Sequence, residues 1–502
     1  MKKIFVSIFT LSLFSFHLFA QPSFIKDSLD SYINKGIKDW DIPGLAIAVI
    51  KDGKVVVMKG YGVRDIETKT PVDENTLFMI ASNSKLFTGT ALAQLEYNKK
   101  LSLNDKITKY FPDYKLYDKN TTELVTIRDM LSHHLGTQTF QGDFTFWNAS
   151  LSRKDIINKM QYLKPPGLFR QDYGYCNSCF LTAGEIIPIV SGKPWEVYVY
   201  DSIVAPLGMT NTQTLGYNMS EMPNAAKPYS TSFTGQLHAL PYDKIDNLAP
   251  AGSIVSCVKD LSKWLIMQLD SGRYNGKRIL PWQVLARTRQ MGTILSSRKN
   301  GPTHFTGYGL GVFINDYYGK QVYSHTGGAD GFVTNTCFIP EENLAITILT
   351  NQDNQNFFEL LRMQIIDAYL NAPYANKSIA ALPAHETAVE ADAKKTTDWK
   401  ARVKGNMPPL PLAAYTGSYE NTLYSTIDIA AKEKDLVIKF NGHNNLTAAL
   451  QYMDNNEWLV TFSNPSFGIT STKFKTENNT VVGIDIKVAD FIEYDAYAFK
   501  KK

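Results

Sequence analysis

At 502 residues the chain exceeds one ordinary domain, and its 44 % hydrophobic and 20 % charged residues are those of a globular protein with sizeable cores. A formal charge of +4, from 52 basic and 48 acidic residues without a basic patch, gives no footing for nucleic acid.

Lys2 and Lys3 precede an apolar run from Ile4 to Phe19, and Ala20 before Gln21 offers a small residue at a cut site. Residues 1–20 therefore read as a secretory signal peptide. The run is too short for a stable membrane span, and no cysteine lies near the cut to carry a lipid anchor. The expectation is an exported protein, periplasmic in a Gram-negative cell. Gly44 to Gly62 follows as a hairpin around Asp52-Gly53, with arms Ala46–Ile50 and Val55–Met58.

Four serines are followed by lysine three residues later: Ser23, Ser82, Ser256 and Ser296. Context selects Ser82. It opens a segment in which Phe87, Ala91 and Leu95 recur at helical spacing after a polar Ser-Asn-Ser entry. Ser82 is thus predicted at a helix N-terminus, where exposed N–H groups favour developing negative charge. Lys85 follows one turn on and on the same face. A serine hydroxyl needs a group to take its proton, and a lysine serves only if burial or neighbours lower its pKa.

Further helices are predicted over Asp129–His134, Leu181–Val190, Trp195–Val204 and Lys259–Leu269. Between them lies Tyr175-Cys176-Asn177, in which Tyr175 can share the proton leaving Ser82. Which of Lys85 and Tyr175 is the base stays open. Cys176 and Cys179 form a C-x-x-C, but Cys257 and Cys337 are distant and no His-x-x-x-His completes a zinc pattern, so no metal or cofactor is expected. The plainer reading of Cys176 is a small buried residue, with a disulfide to Cys179 left open. The His133-His134 pair reads as scaffold, since neighbouring residues point to different faces.

Strands are predicted over Tyr308–Ile314, Val322–Ser324, Val333–Ile339 and Ala345–Thr350, with His325-Thr326-Gly327 near the end of the second. Phe357–Leu370 is helical. Asn371 to Met407 is rich in Ala, Lys, Thr and Pro and poor in large apolar residues, and reads as a linker with room for some helix, closed by Pro408-Pro409. From Ala413 the periodicity changes to two, with strands at Thr426–Ile429, Leu436–Phe440, Trp458–Phe462 and Val482–Val488 between turns such as Asn441-Gly442. A small antiparallel barrel or sandwich is expected.

Ser82-x-x-Lys85, Tyr175-Cys176-Asn177 and His325-Thr326-Gly327 together, in this order, resemble the class C β-lactamase-like serine hydrolases, with their penicillin-binding, D-aminopeptidase and esterase relatives. Leu131-Ser132-His133, Pro206-Leu207-Gly208-Met209, Pro250-Ala251-Gly252 and Tyr308-Gly309-Leu310-Gly311 add to the likeness, which spans roughly Ile25 to Leu370. Tyr415-Thr416-Gly417-Ser418-Tyr419 resembles the opening of the lipocalin-like appendage often fused to that family. The resemblance implies an α+β fold, a β-lactamase/transpeptidase-like antiparallel sheet flanked by helices. It also implies domains at 21–375 (hydrolase), 376–410 (linker) and 411–502 (β domain). Ser82 would be the acylated nucleophile, with Lys85 and Tyr175 as the proton-transfer pair. Asn177, His325, Thr326, Gly327 and Gly328 would bind substrate, with the backbone N–H groups of Ser82 and Gly328 as oxyanion hole.

Where relatives that bind carboxylated substrates usually carry lysine, this chain has His325, which is mostly neutral at pH 7 unless perturbed. The expected substrate is therefore a small molecule or short peptide, a cell-wall fragment among the candidates, cleaved as a peptide, amide or ester. The alternatives are a β-lactamase or a penicillin-binding sensor with little turnover. The segments Gln138–Trp147 and Gly216–Leu248 are expected to shape the cleft, and the oligomeric state stays open.

Overall fold

Asp52 and Gly53 both adopt positive φ, 52° and 74°, the geometry of a two-residue hairpin turn that follows the natural strand twist. They join β1 (Gly44–Lys51) to β2 (Lys54–Asp65), with Lys51 opposite Lys54. In the computed structural model, which describes residues 21–502, this hairpin is part of a nine-stranded sheet. Residues 1–20, which read as a signal peptide, lie outside the described residues.

The other strands are β3 (Thr70–Pro71), β4 (Thr293–Ser296), β5 (Thr306–Tyr308), β6 (Phe313–Tyr317), β7 (Lys320–Ala329), β8 (Phe332–Ile339) and β9 (Leu344–Thr350). All pairings are antiparallel, in the order β4-β5-β6-β7-β8-β9-β1-β2-β3. The N-terminal hairpin and β3 therefore complete a sheet whose six other strands come from residues 293–350, with Ile47 opposite Ile348. Because successive side chains alternate faces, β1 feeds two cores. Leu45, Ile47 and Val49 pack with helices α1 (Leu29–Asp39) and, near the end of the domain, Phe357–Tyr369. Ala46, Ala48 and Ile50 face the larger helical layer that holds α2 (Ser84–Tyr97), α3 (Asp143–Phe146), α4 (Asn177–Gly184) and α5 (Val258–Leu269). This is the β-lactamase/transpeptidase-like arrangement that the motifs imply.

Two readings are corrected and a third is sharpened. Tyr308–Ile314 is not one strand: Gly309 to Val312 turns the chain between β5 and β6, and Gly311 adopts φ 84°. Leu181–Val190 is two helices, because Pro188 has no N–H to offer the carbonyl of Gly184 and the helix breaks there. Most of the expected linker is a 26-residue helix, α7 (Lys377–Arg402), which follows α6 (Phe357–Tyr369). Its alanines, lysines and glutamates are good helix formers. Its first turn is pinned to α1, where Trp40 donates to Ser378 at 2.9 Å and the Ser378 N–H donates to Tyr32 at 3.2 Å.

Eight strands, β10 (Gly417–Asn421), β11 (Ser425–Lys432), β12 (Asp435–Phe440), β13 (Thr447–Tyr452), β14 (Glu457–Phe462), β15 (Ile469–Glu477), β16 (Thr480–Ile486) and β17 (Tyr497–Lys501), form a closed antiparallel barrel in sequence order. Tyr419 opposite Lys501 closes it. Its interior is filled by alternating residues such as Ile427, Ile429, Ile438, Phe440 and Leu450, as an eight-stranded barrel requires. Arg402 at the end of α7 pairs with Asp454 and Glu457 on the barrel.

One contact joins the two domains most directly. Phe144 of α3 is fully buried in the end of the barrel, stacked on Tyr424 at 4.9 Å and edge-on to Tyr497 at 5.1 Å between ring centres. His443 donates through Nε2 to the Trp147 carbonyl at 3.0 Å, which leaves Nδ1 to accept from Tyr424 at 2.6 Å.

Candidate active site

Ala81 precedes Ser82 with φ 47°, a left-handed conformation that costs a non-glycine residue about 1–3 kcal/mol and persists only where packing enforces it. Residues 81–83 form one 3₁₀ turn that leads straight into α2, so Ser82 stands at the helix entrance and Lys85 in its first turn. Lys85 is 0 % exposed. Its Nζ lies 3.1 Å from Ser82 Oγ, 2.7 Å from Asn177 Oδ1 and 2.8 Å from the Ala251 carbonyl. Burial, opposed by Asp143 and Cys176, lowers its pKa to about 7. Two of those three partners can only accept. A neutral amine has two N–H groups and one lone pair, so once the amide and carbonyl are served the lone pair faces the Ser82 hydroxyl.

Tyr175 lies just before α4. Lys85 Nζ is 4.7 Å from its ring centre and 5.4 Å from that of Phe180. The Tyr175 hydroxyl is buried and makes no hydrogen bond of normal geometry among the described residues. Burial pushes it well above its ordinary pKa, with the neighbouring Ser82 side chain as the opposing influence. Asn177, the first residue of α4, spends its other end on Asp143: Nδ2 donates to Oδ2 at 2.6 Å. Asp143 is buried, and burial with the nearby Glu493 holds its pKa well above the usual carboxylate range.

The third motif runs along β7, facing the Ser82 turn. His325 is 1 % exposed. Its Nδ1 lies 2.7 Å from the Thr326 carbonyl, which can only accept, so that nitrogen carries the proton and Nε2 accepts from Tyr308 at 2.8 Å. Burial, then Lys85, lowers its pKa to about 3, so the ring is neutral at pH 7. Thr326 accepts from Asn335 at 2.9 Å. Gly327 is required by close approach: a Cβ there would meet the Ile80 carbonyl at 2.0 Å and Thr334 Oγ1 at 2.7 Å. Gly328 lines the same cavity as Ser82.

That cavity, about 670 Å³, brings together Ser82, Tyr175, Asn177, His325, Thr326 and Gly328. Lys85 and Gly327 lie behind its wall. Of the two segments expected to shape the cleft, Gln138–Trp147 lines it through Thr139, Phe140, Asp143 and Trp147, whereas Gly216–Leu248 does not. The latter instead borders a neighbouring cavity of about 420 Å³ through Ser230, Phe233 and His238. The barrel also contributes to the cavity wall. Asp490, Phe491, Ile492 and Tyr494, between β16 and β17, reach the cavity wall. The Phe491 ring comes within 3.2 Å of where a Cβ at Gly328 would stand. Nothing in that short acidic and aromatic stretch signals partners so distant in the chain.

Cys176 and Cys179 are buried free thiols, and no cluster of three or more potential metal ligands occurs among the described residues. His133 is buried scaffold: Nδ1 accepts from the Cys176 N–H at 3.0 Å and the ring packs on Tyr175 at 4.3 Å. No helix among the described residues is long and apolar enough to cross a membrane.

A serine at a helix entrance and a buried lysine in the first turn, facing a strand motif across a cleft, define the class: a serine hydrolase of the penicillin-recognising type. The β-lactamase family profile matches residues 29–370, and the chain belongs to that family. A second profile, a domain of unknown function (DUF3471), matches 401–501, the barrel. Protein flp of Staphylococcus aureus is 26 % identical over 352 residues, covering 68 % of this chain and 67 % of the relative. The unguisins hydrolase ungD' of Aspergillus campestris is 28 % identical over 440 residues, covering 81 % and 79 %. An octameric penicillin-binding protein homologue from Pyrococcus abyssi shares the fold, with a TM-score of 0.62 at 21 % identity over 94 % of this chain and 99 % of that one.

Proposed function

We propose that this protein is an exported serine hydrolase that acts through a Ser82 acyl-enzyme on a small peptide, amide or ester, of D-aminopeptidase, carboxypeptidase or esterase type. The observation that carries the reading is the fully buried Lys85, its pKa lowered to about 7 and its one free lone pair directed at Ser82 Oγ, 3.1 Å away. Neutral Lys85 takes the Ser82 proton as Oγ attacks the substrate carbonyl. The backbone N–H groups of Ser82 and Gly328 receive the oxyanion. Tyr175, whose phenol stays protonated in its buried site, relays a proton to the leaving group, which departs as amine or alcohol. Water then attacks the acyl carbonyl, giving a proton back through the same pair, and the acid is released as Ser82 is restored.

Substrate preference follows from His325. A buried, neutral imidazole with both nitrogens already bonded offers no cation for a carboxylate. This favours neutral or amine-bearing substrates over penicillins and C-terminal D-alanine peptides. The relative named as an unguisins hydrolase supports turnover rather than mere acylation. Export rests on Lys2, Lys3 and the apolar run to Phe19. The test is a panel of p-nitrophenyl esters, D-amino acid amides, D-alanyl-D-alanine peptides and a chromogenic β-lactam, with Ser82→Ala as control. The expected result is Ser82-dependent turnover of the uncarboxylated members first; penicillin turnover exceeding all others would overturn the preference.

A further inference from the structure

Glu493 belongs to the barrel, yet its carboxylate is spent on the other domain. One oxygen accepts the Gly142 N–H at 2.8 Å; the other accepts the Phe144 N–H at 2.8 Å and the Tyr497 hydroxyl at 2.8 Å. Glu493 is 1 % exposed, a burial a carboxylate tolerates only when its oxygens are well supplied with donors. The two backbone donors flank Asp143. From there the contacts continue without a gap: Asp143 to Asn177 at 2.6 Å, Asn177 to Lys85 at 2.7 Å, Lys85 to Ser82 at 3.1 Å. Phe144, the next residue, is anchored inside the barrel end. The segment that carries Asp143 is therefore held from the barrel side by a carboxylate and an aromatic plug.

We propose that Glu493 is a positioning residue of the active site: it fixes the Gly142–Phe144 backbone, and with it the Asp143 carboxyl that orients the Asn177 amide on Lys85. The proposal rests on the reading of Ser82 and Lys85 given above. It makes the barrel part of the machinery, so that the catalytic domain has its full geometry only with the barrel docked.

Glu493 faces Asp143, Tyr497 and, further off, Asp495; Lys164, Glu420, Lys500 and Lys502 border the groove outside it. Asp143 faces Glu493, Cys176, Lys85, Tyr175 and Tyr497. Burial pushes the Glu493 carboxyl itself up to about 7, so near and below neutrality it carries little charge. It therefore acts on Asp143 and Asn177 through the backbone it holds, and the distinguishing signature is the coupling of Glu493 to Asp143 in the rate.

The experiment is kcat and KM for an uncarboxylated ester with full-length wild type, Glu493→Gln, Asp143→Asn, the double variant and Ser82→Ala, each checked by thermal melting. Glu493→Gln is expected to lower kcat by at least about fivefold while KM changes by less than about twofold, and Asp143→Asn should lower kcat likewise. Because both act through the Asn177 amide on Lys85, the double variant should lose far less than the product of the two single losses. If Glu493→Gln does not fold, Tyr497→Phe removes one donor from the same carboxylate and should lower kcat in the same sense by less, again without a multiplied loss when combined with Asp143→Asn. An unchanged kcat in Glu493→Gln, or losses that multiply in the double variant, would overturn the proposal, leaving Glu493 a packing residue. Turnover that survives in Ser82→Ala would remove the underlying reading and the proposal with it.

Discussion

The catalytic domain and the barrel treat buried polar groups in opposite ways. In the catalytic domain the polar atoms converge inward: Lys85 draws Ser82, Asn177 and the Ala251 carbonyl from three parts of the chain around one nitrogen. The barrel keeps an apolar, aromatic interior and collects polar residues at the end that meets α3. There Glu493 accepts two backbone N–H groups of the other domain and His443 donates to a backbone carbonyl, while Tyr424 and Tyr497 support them. A module that only packed would have no need to aim buried donors and acceptors across its boundary, since each costs free energy unless matched. The contrast teaches that the chemistry sits in one domain and part of its alignment in the other.

The largest effect that would sharpen this contrast is at Tyr175. Tyr175→Phe keeps the ring against Lys85 and removes only the hydroxyl, so a folded enzyme slowed by about 10²- to 10⁴-fold is expected in steady-state assays. A change of less than threefold would remove Tyr175 from the proton path. The wild-type acid limb of kcat/KM should lie near pH 7, because Lys85 acts only when neutral and gains activity as pH rises through its pKa of about 7. A limb centred near pH 5 would break the assignment of Lys85 as base.

At the domain junction, Phe144→Ala empties the barrel end. Such truncations of buried phenylalanine cost about 3–5 kcal/mol, which melting or denaturant titration would read. Activity should fall with it, since α3 carries Asp143; unaltered stability and rate would mean that the junction is passive. His325→Lys is smaller. It should raise the ratio of carboxylated to neutral substrate turnover by about tenfold, the scale of one charge-assisted contact. An unaltered ratio would refute the role of His325 in selectivity. Least of all, Cys176→Ser should stay within about 1 kcal/mol of wild-type stability and about threefold of its rate. The thiol lies 3.3 Å from Ser178 Oγ, with Cys179 as its other polar neighbour.

Much of this molecule was legible in the chain. The Asp52-Gly53 turn, the strand periods and the polar entry before Phe87, Ala91 and Leu95 are local signals, and local signals survive into the fold. The three motifs were legible as a set because their order restricts the fold that can hold them. What escaped depended on distance or on context. Tyr308–Ile314 was read as one strand because its apolar alternation outweighed Gly309 and Gly311, which turn it. The segment of α7 reads as a linker with some helix and not as one long helix, because it lacks large apolar residues, although its composition suits a helix. Glu493 could not have been found: in sequence it is one acidic residue in an acidic, aromatic stretch, and such residues are ordinarily solvated. Its partners lie 349 and 351 residues away.

The measurement that bears most directly on the central claim is the intact mass of the protein after brief exposure to a p-nitrophenyl ester and to a fluorescent penicillin, in wild type and in Ser82→Ala. The prediction is a transient acyl adduct on wild type from the ester, absent in Ser82→Ala, with turnover of the ester exceeding that of the penicillin. An adduct that persists in Ser82→Ala, or ester turnover without dependence on Ser82, would contradict it.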